Sequence, residues 1–149
     1  MPKGKPIKVE YRTLVVIWFG LLTSQVLFLL VVYLVKPELF TPDTSRPFLG
    51  EEPLIPLAFA ISAGVFFILS FVLSRQYMRR AVRDKDAECV QTGLVLGCAL
   101  SEISSILGVV IALVFEHPYF YIWIALGALG ILLHFPRKGN LDAAKYRLM

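Results

Sequence analysis

One carboxylate stands alone in an apolar stretch. Over the 23 residues from Gly93 to Phe115, Glu102 is the only charged side chain, and it lies near the middle. On insertion scales a carboxylate at the centre of a bilayer costs about 2.5–3.5 kcal/mol, so such a residue normally faces protein or water and is a functional candidate. The chemistry open to it is reversible binding of a proton or a monovalent cation. Neutral polar groups at the same depth could share that site. Gln25 lies 11 residues beyond Leu14, and Glu102 lies 9 beyond Gly93. At about 1.5 Å per residue these depths agree within roughly 3 Å. Ser62, 11 residues before Leu73, reaches a similar level, and Ser101 and Ser105 flank the acid on its own helix. The candidate ion-binding set is therefore Glu102, Gln25, Ser62, Ser101 and Ser105. No Lys or Arg lies within the apolar runs. An ionised Glu102 would carry its desolvation cost alone, so the neutral acid is expected at neutral pH.

Four apolar runs must position these groups, at about 14–35, 54–73, 93–115 and 119–135. Each is near the length of a bilayer-crossing helix. A chain of 149 residues that is 57% hydrophobic, with mean hydropathy +0.70, reads as one transmembrane domain over 1–149. The first run follows a basic start but is too long for the apolar core of a signal peptide and lacks a small-residue cleavage site, so a retained helix is expected. Four prolines between Lys36 and Pro53 predict a loop. The charged segment 74–92 contains Gly93-preceding polar residues but no proline or glycine of its own. Helices two and three are expected to run out of the bilayer into it and turn near Arg83–Asp86. Glu116-His117-Pro118 breaks the third helix, Pro136 ends the fourth, and the basic tail is expected to form a short surface helix.

Small residues predict where the helices touch. Gly97, Ser101, Ser105, Gly108 and Ala112 recur at spacings of three and four, which makes a narrow ridge beside Glu102. Ala58, Ala60, Ser62 and Gly64 alternate on the second run. A tight antiparallel hairpin is expected, with Ala60, Ser62 and Gly64 against that ridge. Gly64, Gly97, Gly108 and Gly127 are the expected packing positions.

Charge sets the expected orientation. The N-terminus, the 74–92 segment and the tail carry 13 Lys and Arg, against 2 in the other loops. Both termini and the second loop are therefore expected in the cytoplasm, and the net charge of +4 reads as a topology signal rather than a nucleic-acid footprint. The fold class expected is an all-α membrane four-helix bundle in a bacterial inner membrane. Tyr119, Phe120, Tyr121 and Trp123 would fall at the outer interface. Cys89 and Cys98 are expected to be free thiols, and His117 and His134, at opposite faces, to be bystanders.

The third run resembles the carboxylate helix of the c subunit, or proteolipid, of rotary ATPases. That family carries G-x-A-x-x-E-x-x-A-I-Y-G-L-V-V-A, and Gly97, Ala99, Glu102, Ser105, Ile106, Leu107, Gly108, Val109, Val110, Ile111 and Ala112 stand in that order here. Gln91-Thr92 and the basic turn upstream are similar to the family as well, and Ala58, Ala60, Ser62 and Gly64 resemble a diluted glycine stripe of its first helix. The resemblance covers about 58–114. It implies a hairpin whose Glu102 exchanges an ion through a partner subunit, a proton more readily than sodium, because Ile103 stands where sodium-type members offer a hydroxyl, for which Ser101 and Ser104 could partly substitute. Arg83-Asp84-Lys85 replaces the family's Arg-Gln/Asn-Pro turn, Leu107 its tyrosine, and a further helix flanks the hairpin on each side. These departures imply a distant or non-rotor relative.

Two functions remain open on the residues. One is an ion-translocating membrane subunit working through Glu102. The other is an accessory subunit in a larger complex, with Glu102 as a buried polar contact. Expected partners are other membrane subunits, as a homo-oligomer or heteromeric complex, and lipid, with no nucleic acid. No catalytic triad, phosphate loop, haem motif or metal-ligand cluster occurs in the sequence, so neither enzymatic activity nor a cofactor is expected.

Overall fold

Short capping signals set the helix ends. The computed structural model describes residues 9–41 and 53–145, and the regular structure among these is helical throughout. The elements are α1 (Tyr11–Val35), a short 3-10 turn (Pro37–Phe40), α2 (Leu54–Asp84), α3 (Ala87–Phe115), α4 (Tyr121–Leu133) and α5 (Lys138–Lys145). Lys3, Lys5 and Lys8, most of the proline-rich loop, and Arg147 lie outside the described residues.

The segment 74–92 is almost wholly helical. It turns at Lys85 and Asp86, within the interval expected from its charge. Lys85 adopts the left-handed conformation at φ 54°, and the Asp86 amide donates to the Ala81 carbonyl at 3.0 Å. That bond satisfies a carbonyl left over at the end of α2. Asp86 then starts α3 by accepting from the Glu88 amide at 2.9 Å. The same device closes α3: Glu116 is left-handed at φ 51°, and the His117 amide donates to the Ile111 carbonyl at 3.2 Å.

α1, α2 and α3 are long and apolar enough to cross a membrane, at 25, 31 and 29 residues. α4 is shorter than the run 119–135 suggested. Its 13 residues cover about 20 Å, less than the roughly 30 Å of a hydrocarbon core. The chain still turns through 118–120, and it leaves the helix at His134.

α3 is the central element. Its most apolar window is 39% buried, against 11% for α1 and for α2, and it packs on α1, α2, α4 and α5. α2 and α3 form the expected antiparallel hairpin, but through different residues. Gly64 has nothing within 4 Å of where a side chain would start, whereas Ala63 is fully buried and its carbonyl accepts from Ser104 at 3.4 Å. Most of the ridge of α3 faces α4 instead, while its Gly97 end meets both His134 and Ser74 of α2. A methyl at Gly108 would lie 2.9 Å from Ile124 and 3.0 Å from Trp123, and one at Gly130 would lie 2.5 Å from the Ser101 hydroxyl. Helical phase explains the difference. Residues 97, 101, 105 and 108 share one face, and Ser104, about 80° round from the mean direction of Ser101 and Ser105, looks toward α2.

Packing adds two further features. Phe120 and Trp123 are 1% and 4% exposed, packed with Val32, Ile111 and Ile124, so only Tyr121 of that aromatic group is openly exposed. The spacing 120, 123, 124 and 127 puts them on the stripe that meets α3. The tail forms the expected short surface helix, α5, and docks it along one side: Leu141 and Ala144 are buried beside Leu14, Ala81 and Val90. Cys89 is half-buried and Cys98 buried, both as free thiols.

Candidate functional site

Glu102 lies on α3, half-buried, where α1 passes beside it. α1 is held there by contacts along its length. The Trp18 indole donates to the Ile131 carbonyl at 2.7 Å, the Tyr11 hydroxyl to the Pro136 carbonyl at 3.3 Å, and Lys36 pairs with Glu116 at the far end. These contacts run α1 parallel to α3 and antiparallel to α4. They bring Thr23-Ser24-Gln25 to the level of Glu102.

The carboxyl group meets Ser24 directly. The Ser24 hydroxyl is hydrogen-bonded to Glu102 Oε1 and also lies 2.7 Å from the Leu21 carbonyl. The Gln25 amide nitrogen donates to Ser24 Oγ at 3.3 Å. The amide oxygen of Gln25 accepts from the Ser105 hydroxyl, which also lies 3.4 Å from the Ile124 carbonyl. A continuous polar relay therefore runs Glu102, Ser24, Gln25, Ser105 across α1 and α3 to the backbone of α4. Gln25 is 4% exposed and Ser105 fully buried, so in this part of the bundle each polar group needs the next.

Ser24 has one hydrogen and two acceptors in reach. If the hydrogen serves the Leu21 carbonyl, the contact with Glu102 is a hydrogen bond only when the acid is protonated and donates. If Glu102 is ionised, Ser24 turns its hydrogen to it, and the Leu21 carbonyl keeps its bond within the helix. Both protonation states thus find a partner without movement of the backbone.

The other expected members are elsewhere. Ser62 donates to the Ala58 carbonyl at 2.8 Å on an exposed part of α2, and Glu102 is hydrogen-bonded to Ser24 rather than to it. Ser101 donates to the Gly97 carbonyl at 3.0 Å and packs on Gly130. The Ser104 hydroxyl donates to the Ala63 carbonyl of α2, so neither serine is hydrogen-bonded to Glu102. Gln25 belongs to the relay, one hydroxyl removed from the acid. Ser24 is the member missed among the candidates, although its place in the polar tripeptide 23–25 at mid-run was a usable signal.

Gly97 and Gly127 are sites of close approach. A methyl on Gly127 would run into the Ser105 hydroxyl, and one on Gly97 into the His134 ring. His134 is no surface bystander. It is 8% exposed, with Nδ1 2.6 Å from the Gly130 carbonyl, Nε2 3.4 Å from the Ser70 carbonyl, and the Phe71 ring 4.6 Å away. Among the described residues no three His, Cys, Asp or Glu side chains gather as a metal site.

These features define an all-helical protein with three candidate membrane spans and a carboxyl group in a relay of neutral polar side chains. Comparisons with known protein families, with curated proteins and with solved structures find no match to the chain.

Proposed function

We propose that this chain is an integral membrane subunit that carries a proton reversibly on Glu102 and exchanges it through a partner subunit. In this reading 14–35, 54–73, 93–115 and 119–135 each cross the membrane, both termini and the turn at Lys85 face the cytoplasm, and the membrane is a bacterial inner membrane. α4 would cross with the help of its flanking turns. The observation that carries the proposal is the contact between Glu102 and Ser24, which offers a hydrogen bond to either protonation state. The resemblance of 58–114 to a rotary ATPase proteolipid hairpin supports the same chemistry. The packing of α1 and α4 against α3 argues against a ring of bare hairpins, so the subunit is read as a non-rotor relative.

The second reading is an accessory subunit in which Glu102 is a packing contact. It is favoured by the depth to which Gln25 and Ser105 are buried. A hydrophobic carbodiimide, which attacks protonated carboxyl groups in membranes, is the first test. Labelling at Glu102 that slows as pH rises supports proton exchange, and absence of labelling supports packing. Glu102→Gln separates them further. It should keep assembly in both readings, and it should abolish proton flux in reconstituted vesicles only if Glu102 carries the proton.

A further inference from the structure

A cavity of about 290 Å³ opens at the end of the molecule where α1 begins and α5 docks. Its polar lining comes from Ser74 and Arg75 of α2, His134 and Arg137 at and just past the end of α4, and Asn140 of α5. Arg75 and Arg137 are the first charged residues after their apolar runs, so they stand at the level where a hydrocarbon core gives way to headgroups. Neither guanidinium pairs with an acid among the described residues. Leu133 and Phe135 line the same cavity and are 58% and 48% exposed, so its wall continues onto the apolar outer surface. The lining thus combines cationic groups with an apolar wall.

From this juxtaposition we infer that the cavity binds the phosphate of an anionic phospholipid. Arg75 and Arg137 grip the phosphate oxygens, and the acyl chains leave over Leu133 and Phe135. Guanidinium groups suit this task because their planar forks donate two parallel hydrogen bonds to a phosphate. Ser74 and Asn140 supply neutral polar groups beside the headgroup. The inference rests on insertion in a bilayer, as proposed above, but not on any role of Glu102. Flux through Glu102 and lipid retention can therefore fail separately.

The test is native mass spectrometry of the full chain released from detergent after incubation with phosphatidylglycerol, phosphatidylcholine or inorganic phosphate. Phosphatidylglycerol should stay bound, about tenfold more tightly than phosphatidylcholine, and millimolar inorganic phosphate should not displace it. The paired change Arg75→Gln and Arg137→Gln should remove that preference. Arg79→Gln, on the same helix but outside the cavity lining, should preserve it. Should the paired variant not fold, the thermal shift of the parent protein by each lipid reads the same preference. Equal binding of both lipids, equal loss with Arg79→Gln, or displacement by free phosphate would each overturn the assignment.

Discussion

Replacing Gly127 by Ala should force α4 away from α3 and disturb the relay to Glu102. The added methyl would meet the Ser105 hydroxyl and lie 2.9 Å from the Ser101 carbonyl oxygen and 3.1 Å from the Ser105 amide nitrogen. Two of these three neighbours are backbone atoms of a helix and cannot rotate aside, so the helices must separate. Overpacking of this kind costs about 1–3 kcal/mol. Ser105 also holds Gln25, and an interhelical hydrogen bond in a membrane protein averages about 0.6 kcal/mol. Against this, alanine is favoured over glycine inside a helix by about 0.8–1.0 kcal/mol. The net expectation is a loss of roughly 0.7–2.7 kcal/mol. Gly64→Ala is the matched control. Nothing lies within 4 Å of that position, so only the propensity gain of up to about 1 kcal/mol should remain. Reversible unfolding in mixed micelles, titrated with dodecyl sulfate and followed by circular dichroism, gives both values. If Gly127→Ala is as stable as the parent, or Gly64→Ala loses as much, the assignment of the ridge to α4 is wrong.

Three further outcomes are expected. Ser24→Ala should cost about 0.6–1.7 kcal/mol in the same unfolding assay, while Ser62→Ala stays within about 0.5 kcal/mol; equal effects would remove Ser24 from the site. Glu102→Leu should weaken packing by about 0.6–1.7 kcal/mol where Glu102→Gln is nearly neutral, and a Gln variant as unstable as Leu would contradict the neutral-acid reading. Cys98 is buried and Cys89 half-buried, so an impermeant maleimide should label the native protein at Cys89 alone, and only in inside-out vesicles. Labelling from the outside would reverse the orientation.

Much of the architecture was legible because it depends on local signals. Length and apolarity marked α1, α2 and α3, and the charged, proline-free stretch allowed α2 and α3 to continue to a turn at Lys85–Asp86. The matching depths of Gln25 and Glu102 were also readable, since rise per residue alone fixes them once both helices run the same way. Rotation about the helix axis was the part that stayed hidden. Small residues announce a close contact but not with which neighbour. The stripe at 97, 101, 105 and 108 suits α2 and α4 equally well until their own faces are known. Gly127 and Gly130 are three apart and share one face, and that face fills the ridge. Gly64 is left outward, as is Ser62 with its own backbone as partner. The same ambiguity concealed His134, whose place beside Gly97 depends on where α4 stops.

The position of Glu102 within α3 has its own consequence. Successive helical residues are about 100° apart, so Glu102 cannot share the fully buried face held by Ser101, Ser105 and Gly108. Those serines are each satisfied at once, by Gly97, Gln25 or the carbonyl of α4. Glu102 falls instead at the seam between α1 and the outer surface, half-covered, with Ser24 as its hydrogen-bond partner. A group used only to bind helices together would gain most on the buried face, where no solvent or lipid competes for it. At the seam, the carboxyl group keeps Oε1 on the relay while the residue is only half-covered, an arrangement that suits the exchange with a partner subunit proposed above.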